Sequence, residues 1–119
     1  MTDKRVWHVE QQASGRWARM PLLEQMANIG SEVERSIAAH AAGSATRFDG
    51  ALARALELFD LTATDARWAG HRRREILRAR EEFCRRFFDP QVGDESAAGL
   101  RTYFLQFAVA ARRNAATRS

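Results

Sequence analysis

The chain has 119 residues, 45% hydrophobic and 29% charged, a size for one modest core and a composition that excludes a disordered chain. Two prolines and seven glycines leave room for long helices, and no apolar run approaches a membrane span. The formal charge is +4, and of nineteen basic residues only Lys4 is lysine. Arginine suits bidentate contact with phosphate or carboxylate, so an anionic partner comes into question. A coding sequence rich in G and C would favour arginine equally, and the many alanines fit that account. The N-terminus lacks the apolar run of a signal peptide, so the expectation is a cytoplasmic protein. The lone Cys84 excludes an internal disulfide, and its neighbours Phe83, Phe87 and Phe88 mark it as a small buried hydrophobe.

Residues 1–19 have no sustained period and read as an N-terminal tail whose Trp17 docks on the start of the first helix. Pro21 suits the first turn of that helix. Leu22, Met26, Ile29, Val33 and Ile37 then recur at three and four, the stripe of one buried face. Gly43 and Ser44 end it, with Ser44 placed to cap the next helix. The second helix carries Phe48, Leu52, Ala55, Leu56 and Phe59 on one stripe. Residues 62–70 read as a turn region, with Thr64 or Asp65 as a cap and Trp68 as a lid.

The third helix runs from about His71 to Phe88 and stops at Asp89-Pro90. Ile76, Phe83 and Phe87 share its inner arc with Arg73 and Arg80, which must snorkel or find carboxylates. Glu32 and Asp60 are the expected partners. After a loop in which Asp94 can cap, the fourth helix places Ala97, Leu100, Phe104, Phe107 and Ala111 at strict three-four alternation. The expected fold is all-α: an up-down-up-down antiparallel four-helix bundle over 20–115, with a C-terminal tail at 116–119.

Three features bear on function. His71-Arg72-Arg73-Arg74, Arg78, Arg85 and Arg86 make the third helix basic, and Arg112 and Arg113 close the fourth. Arg72, Arg74, Arg78, Arg85, Arg112 and Arg113 are the candidate nucleic-acid contacts, because a basic stripe is the footprint of a phosphate backbone. Against that, Glu75, Glu81 and Glu82 lie among them at i,i+3 and i,i+4 spacing, which also describes a solvated face. On the fourth helix, Tyr103, Leu105 and Val109 lie off the main stripe, and a helix apolar around most of its circumference points to a homo-oligomer interface. An N-terminal tail carrying Trp7 and Trp17 could cover the same surface.

The third feature is Arg35-Ser36-Ile37-Ala38-Ala39-His40, an R-x4-H pattern similar to the Arg–His motif of the HEPN ribonucleases, themselves helical bundles acting as dimers. That resemblance implies Arg35 and His40 as a catalytic pair serving the phosphate and the 2′-hydroxyl. His8, His40 and His71 have no spacing that would hold a metal, and no glycine-rich phosphate loop, nucleophile elbow or zinc pattern occurs. The expectation is no metal and no cofactor.

Asn28-Ile29-Gly30-Ser31-Glu32-Val33-Glu34-Arg35, then Gly43, Arg47-Phe48 and Ala51-Leu52-Ala53-Arg54-Ala55-Leu56-Glu57-Leu58, resemble another pattern. It belongs to the four-helix proteins of 23S rRNA intervening sequences and the accessory variability determinant of diversity-generating retroelements. Met26-Ala27 stands where those proteins usually carry Pro-Ser. The resemblance covers about half of the two central helices. It implies a pentamer of four-helix protomers whose basic surface binds nucleic acid and, in the retroelement branch, a reverse transcriptase. The expected function is therefore a non-catalytic, homo-oligomeric binding module for nucleic acid or a nucleic-acid enzyme. The alternatives are a HEPN-like ribonuclease and a protein adaptor without nucleic-acid contact.

Overall fold

A computed structural model describes residues 15–118, all of whose regular secondary structure is helical. Residues 15–19 are helical, followed by α1 (Leu22–Ala41), α2 (Ala45–Ala63), a 3-10 turn (Ala66–Trp68), α3 (His71–Phe88) and α4 (Glu95–Arg118). None of these helices is long and apolar enough to cross a membrane.

The helix ends follow from local chemistry. Pro21 stands just before α1 in extended conformation, where its missing N–H leaves no intrahelical bond unmade. At the other end Gly43 takes φ +71°, the left-handed conformation that lets the Ser44 N–H reach back to the Ala39 carbonyl. Ser44 occupies the N-cap of α2, but its hydroxyl makes no capping bond and instead accepts from Arg47 Nε at 3.1 Å. The α2 helix runs into the segment read as a turn, through Thr62 and Ala63. Asp65 caps the 3-10 turn by accepting from the Arg67 N–H. The third helix has the bounds expected from its sequence, and Asp89 ends it in extended conformation before Pro90.

One core unites the four helices. Ile29 from α1, Phe59 from α2 and Phe83 from α3 are fully buried, and Phe104 from α4 is nearly so. The Phe59 ring lies 5.8 Å from Phe83 and 6.2 Å from Phe104, so it touches both later helices at once. The α1 helix packs extensively on α2 and on α4, whereas α3 leans mainly on α2 and meets α4 only thinly. The closest approach is at Gly30, where an added Cβ would stand 2.9 Å from Phe104 Cβ. On α4, Ala97, Leu100 and Phe104 are buried as the stripe requires, while Phe107 and Ala111 are half-buried.

A buried polar network closes one end of the core. Trp17 Nε1 donates to Thr62 Oγ1 at 2.7 Å, and Gln25 Nε2 donates to the Trp17 carbonyl at 2.8 Å. Trp68 Nε1 donates to Gln25 Oε1 at 2.7 Å. Gln25 and Thr62 have no solvent exposure, so these bonds satisfy groups that water cannot reach. Trp17 thus belongs to the core, and residues 15–19, read as tail, are helical because burying its indole ties them down. At the other terminus α4 continues past 115 to Arg118, since nothing between Arg113 and Thr117 breaks a helix. Trp7 and His8 lie outside the described residues.

Candidate nucleic-acid interface

The α3 helix positions the basic residues by its period. His71, Arg74, Arg78 and Arg85 recur at spacings of three, four and seven, one exposed stripe along the helix. Opposite lies the buried arc of Ile76, Ala79 and Phe83. Because α3 and α4 meet thinly, a groove of about 730 Å³ opens between them. His71, Arg74, Glu75, Arg78 and Glu82 form its α3 wall, and Ser96, Gly99, Leu100 and Tyr103 form the α4 wall.

The arginines fall into two groups. Some have tasks within the fold. Arg80 Nε meets Asp60 Oδ1 at 3.0 Å, the partnership its position on α3 suggested. Arg73 does not reach Glu32. It donates from Nε to the Ala63 carbonyl at 2.6 Å, an acceptor left over where α2 ends, and from Nη2 at 3.2 Å to the Asp65 carbonyl, which also accepts from the Trp68 N–H. Glu32 instead receives Arg35 and Arg54. Arg86, with a side chain only 12% exposed, pairs with Asp94 at 3.2 Å across the α3–α4 loop. Arg101 holds Glu34 through two bonds of 2.7 and 3.0 Å, joining α4 to α1.

The second group comes from the six arginines proposed for phosphate. Arg74, Arg78, Arg112 and Arg113 make no ion pair or side-chain hydrogen bond among the described residues. Arg72 lies over the Trp68 ring at 5.6 Å, and Arg85 pairs with Asp89 at 3.5 Å. The set does not converge on one surface. Arg74 and Arg78 share the groove wall, whereas Arg113 lines a separate shallow depression on α4 with Leu105 and Val109.

The three residues proposed for an interface separate in the same way. Leu105 is 58% exposed and Val109 37%, but Tyr103 is half-buried inside its own chain. Its hydroxyl donates to Glu75 Oε1 at 2.9 Å, and its ring packs on Phe104 and Phe107 at 5.0 and 5.3 Å. Burial first, and then the neighbouring Glu75 carboxylate, push the Tyr103 hydroxyl above its ordinary pKa. It therefore stays protonated and bridges the groove between α3 and α4.

Arg35 and His40 have separate engagements. The Arg35 guanidinium binds the Glu32 carboxylate, one turn back on α1. The His40 ring lies 5.3 Å from Phe48 and 5.2 Å from Phe87, tying the C-terminal ends of α1 and α3 to the start of α2. Cys84 is partly buried, and that burial raises its thiol pKa, the opposite of what a reactive thiolate needs. No group of three or more His, Cys, Asp or Glu among the described residues is placed to hold a metal ion.

The sequence reading missed the groove itself. The α3 wall carries mostly solvent-face residues, the α4 wall adds the buried Leu100 and half-buried Tyr103, and the poor packing between α3 and α4 creates the space. The structure shows why: α3 has just three buried residues in eighteen, too few to seal against two neighbours. No protein-family model, curated protein or solved structure matches this chain.

Proposed function

We propose that this protein is a non-catalytic nucleic-acid-binding module built on an up-down-up-down antiparallel four-helix bundle. Four cross-helix pairings support that topology: Glu32 with Arg54, Asp60 with Arg80, Glu75 with Tyr103, and Glu34 with Arg101. The phosphate-binding element is the exposed stripe of α3. The observation that carries this reading is the division of labour among the arginines. Those near carboxylates or carbonyls are consumed by the fold, while Arg74 and Arg78 stand beside an open groove with no ion pair or side-chain hydrogen bond among the described residues. A phosphate backbone supplies the missing anion at little cost in reorganisation, and the resemblance to the intervening-sequence and retroelement accessory proteins points the same way.

The groove wall also carries Glu75 and Glu82. The Tyr103 hydroxyl holds the Glu75 carboxylate toward α4. Arg35 and His40 are occupied by a carboxylate and by two phenyl rings, which favours binding over strand cleavage.

Titration of a fluorescent structured RNA across salt concentrations tests the reading. Affinity should fall linearly on a log–log plot. Replacing Arg74 and Arg78 together by alanine should weaken binding and lower the slope by about two. A slope near zero, or a double variant that binds like the parent, would overturn it.

A further inference from the structure

The outward face of α4 carries a second stripe besides the one buried in the core. Ala98, Thr102, Leu105, Val109 and Arg112 follow one another at spacings of four, three, four and three. That is a heptad seam, and all five residues are exposed. The inner stripe of Ala97, Leu100, Phe104, Phe107 and Ala111 already faces the core, so the outer seam from Ala98 to Arg112 meets no other helix among the described residues. A shallow depression of about 500 Å³ lies along it between Thr102 and Asn114. Leu77 and Phe88, the other large exposed apolar side chains among the described residues, sit on α3 at opposite ends of a stripe that the charged Glu81 interrupts.

We propose that this seam pairs with the same seam of a second copy, antiparallel and about a two-fold axis. Size and charge both select this occupant. In one antiparallel register Val109 faces Ala98 of the other copy and Leu105 faces Thr102, so each large side chain meets a small one in every layer. The same register sets Arg112 opposite Glu95, the only acidic residue of α4, at both ends of the contact. Arg113 then stands opposite Asp94. A parallel pairing would instead oppose Arg112 to Arg112 and leave Glu95 unmatched. The remaining charge near the centre, Arg101, is neutralised within its own protomer by Glu34. The seam is otherwise uncharged from Ala98 to Val109, and so carries no repulsion between copies. Such pairing is isologous and closes at two. It does not depend on the nucleic-acid reading, whose groove lies on the other flank of α4.

Light scattering over a dilution series is the test, with helical circular dichroism as the control for folding. The parent protein should be a dimer that dissociates on dilution. Leu105→Glu should be a folded monomer, weakening association at least about a hundredfold, because two carboxylates would be buried without partners. Glu95→Arg alone and Arg112→Glu alone should each weaken the dimer, and the two combined should restore it. A parent that stays monomeric, a pentamer or other assembly larger than two, a dimer indifferent to Leu105→Glu, or a double reversal without recovery would each overturn the proposal.

Discussion

Single side chains decide how the end of the core is sealed. Gln25 is fully buried and spends both ends of its amide on indole-bearing residues, the Trp17 carbonyl and the Trp68 N–H. Replacing it by leucine keeps the volume but strands both groups in a place water cannot enter. An unmet buried hydrogen-bonding group costs about 1–3 kcal/mol, so Gln25→Leu should lose about 2–4 kcal/mol in urea unfolding. A loss below 1 kcal/mol, on the order of a single exposed bond, would show that the network is not what holds this end. Asp65 belongs to the same region, and the Arg67 guanidinium that bonds to it holds its pKa at about 2, below the ordinary 3.8. A depressed carboxylate stabilises the fold above the unfolded value and loses that contribution as pH falls through the folded one. Stability should therefore drop between pH 3.8 and about 2, and this part of the drop should be absent in Asp65→Asn. Parallel urea titrations of the two proteins near neutral pH and near the lower limit would show whether their difference shrinks in acid.

Helices respond to substitution according to what faces them, and two mid-helix glycines make the comparison. Gly30 on α1 allows α4 to approach until an added Cβ would stand 2.9 Å from Phe104 Cβ, an atom fixed to the backbone that cannot swing away. Alanine there gains up to about 1 kcal/mol of helix propensity but overpacks a contact, typically at a cost of 1–3 kcal/mol. Gly99 on α4 has nothing within 4 Å of the same added atom. Thermal melts should place Gly30→Ala below the parent and Gly99→Ala above it. If Gly30→Ala matched Gly99→Ala, the close crossing of α1 and α4 would be refuted. Helix existence was legible in the sequence because apolar period and breakers are local: α3 ends at Asp89-Pro90 as its sequence predicts. The close crossing was not legible, since a glycine within a helix looks the same whether it faces a neighbour or solvent. Arg73 is a similar case. Sequence placed it near the core and required a partner, but the partner was a pair of backbone carbonyls at the end of α2, which have no signature in residue type. The candidate site was half legible: the stripe of Arg74 and Arg78 could be read from spacing, and the groove beside it could not.

For the molecule as a whole, the four helices are unevenly packed. The α1 helix is packed on two sides, by α2 and α4, while α3 is the outlier, joined well to α2 and thinly to α4. Only Ile76, Ala79 and Phe83 of its eighteen residues are buried, and its exposed side sets Arg72, Arg74, Arg78 and Arg85 among Glu75, Glu81 and Glu82. Elements with few buried apolar contacts open before the global unfolding transition. Amide hydrogen exchange should accordingly find α3 the least protected of the four long helices and α1 the most protected. Nucleic acid bound along the α3 stripe would relieve repulsion among Arg72, Arg74, Arg78 and Arg85, and a ligand that binds only the closed form stabilises it by mass action. Added RNA should therefore slow exchange in α3 more than in α1 or α2, and Arg74→Ala with Arg78→Ala should remove the difference. Protection rising evenly across all four helices would mean that the nucleic acid binds elsewhere, and protection confined to α4 would move the contact to Arg112 and Arg113. The thinly packed seam between α3 and α4 and the basic groove are the same place, so local stability there reports directly on binding.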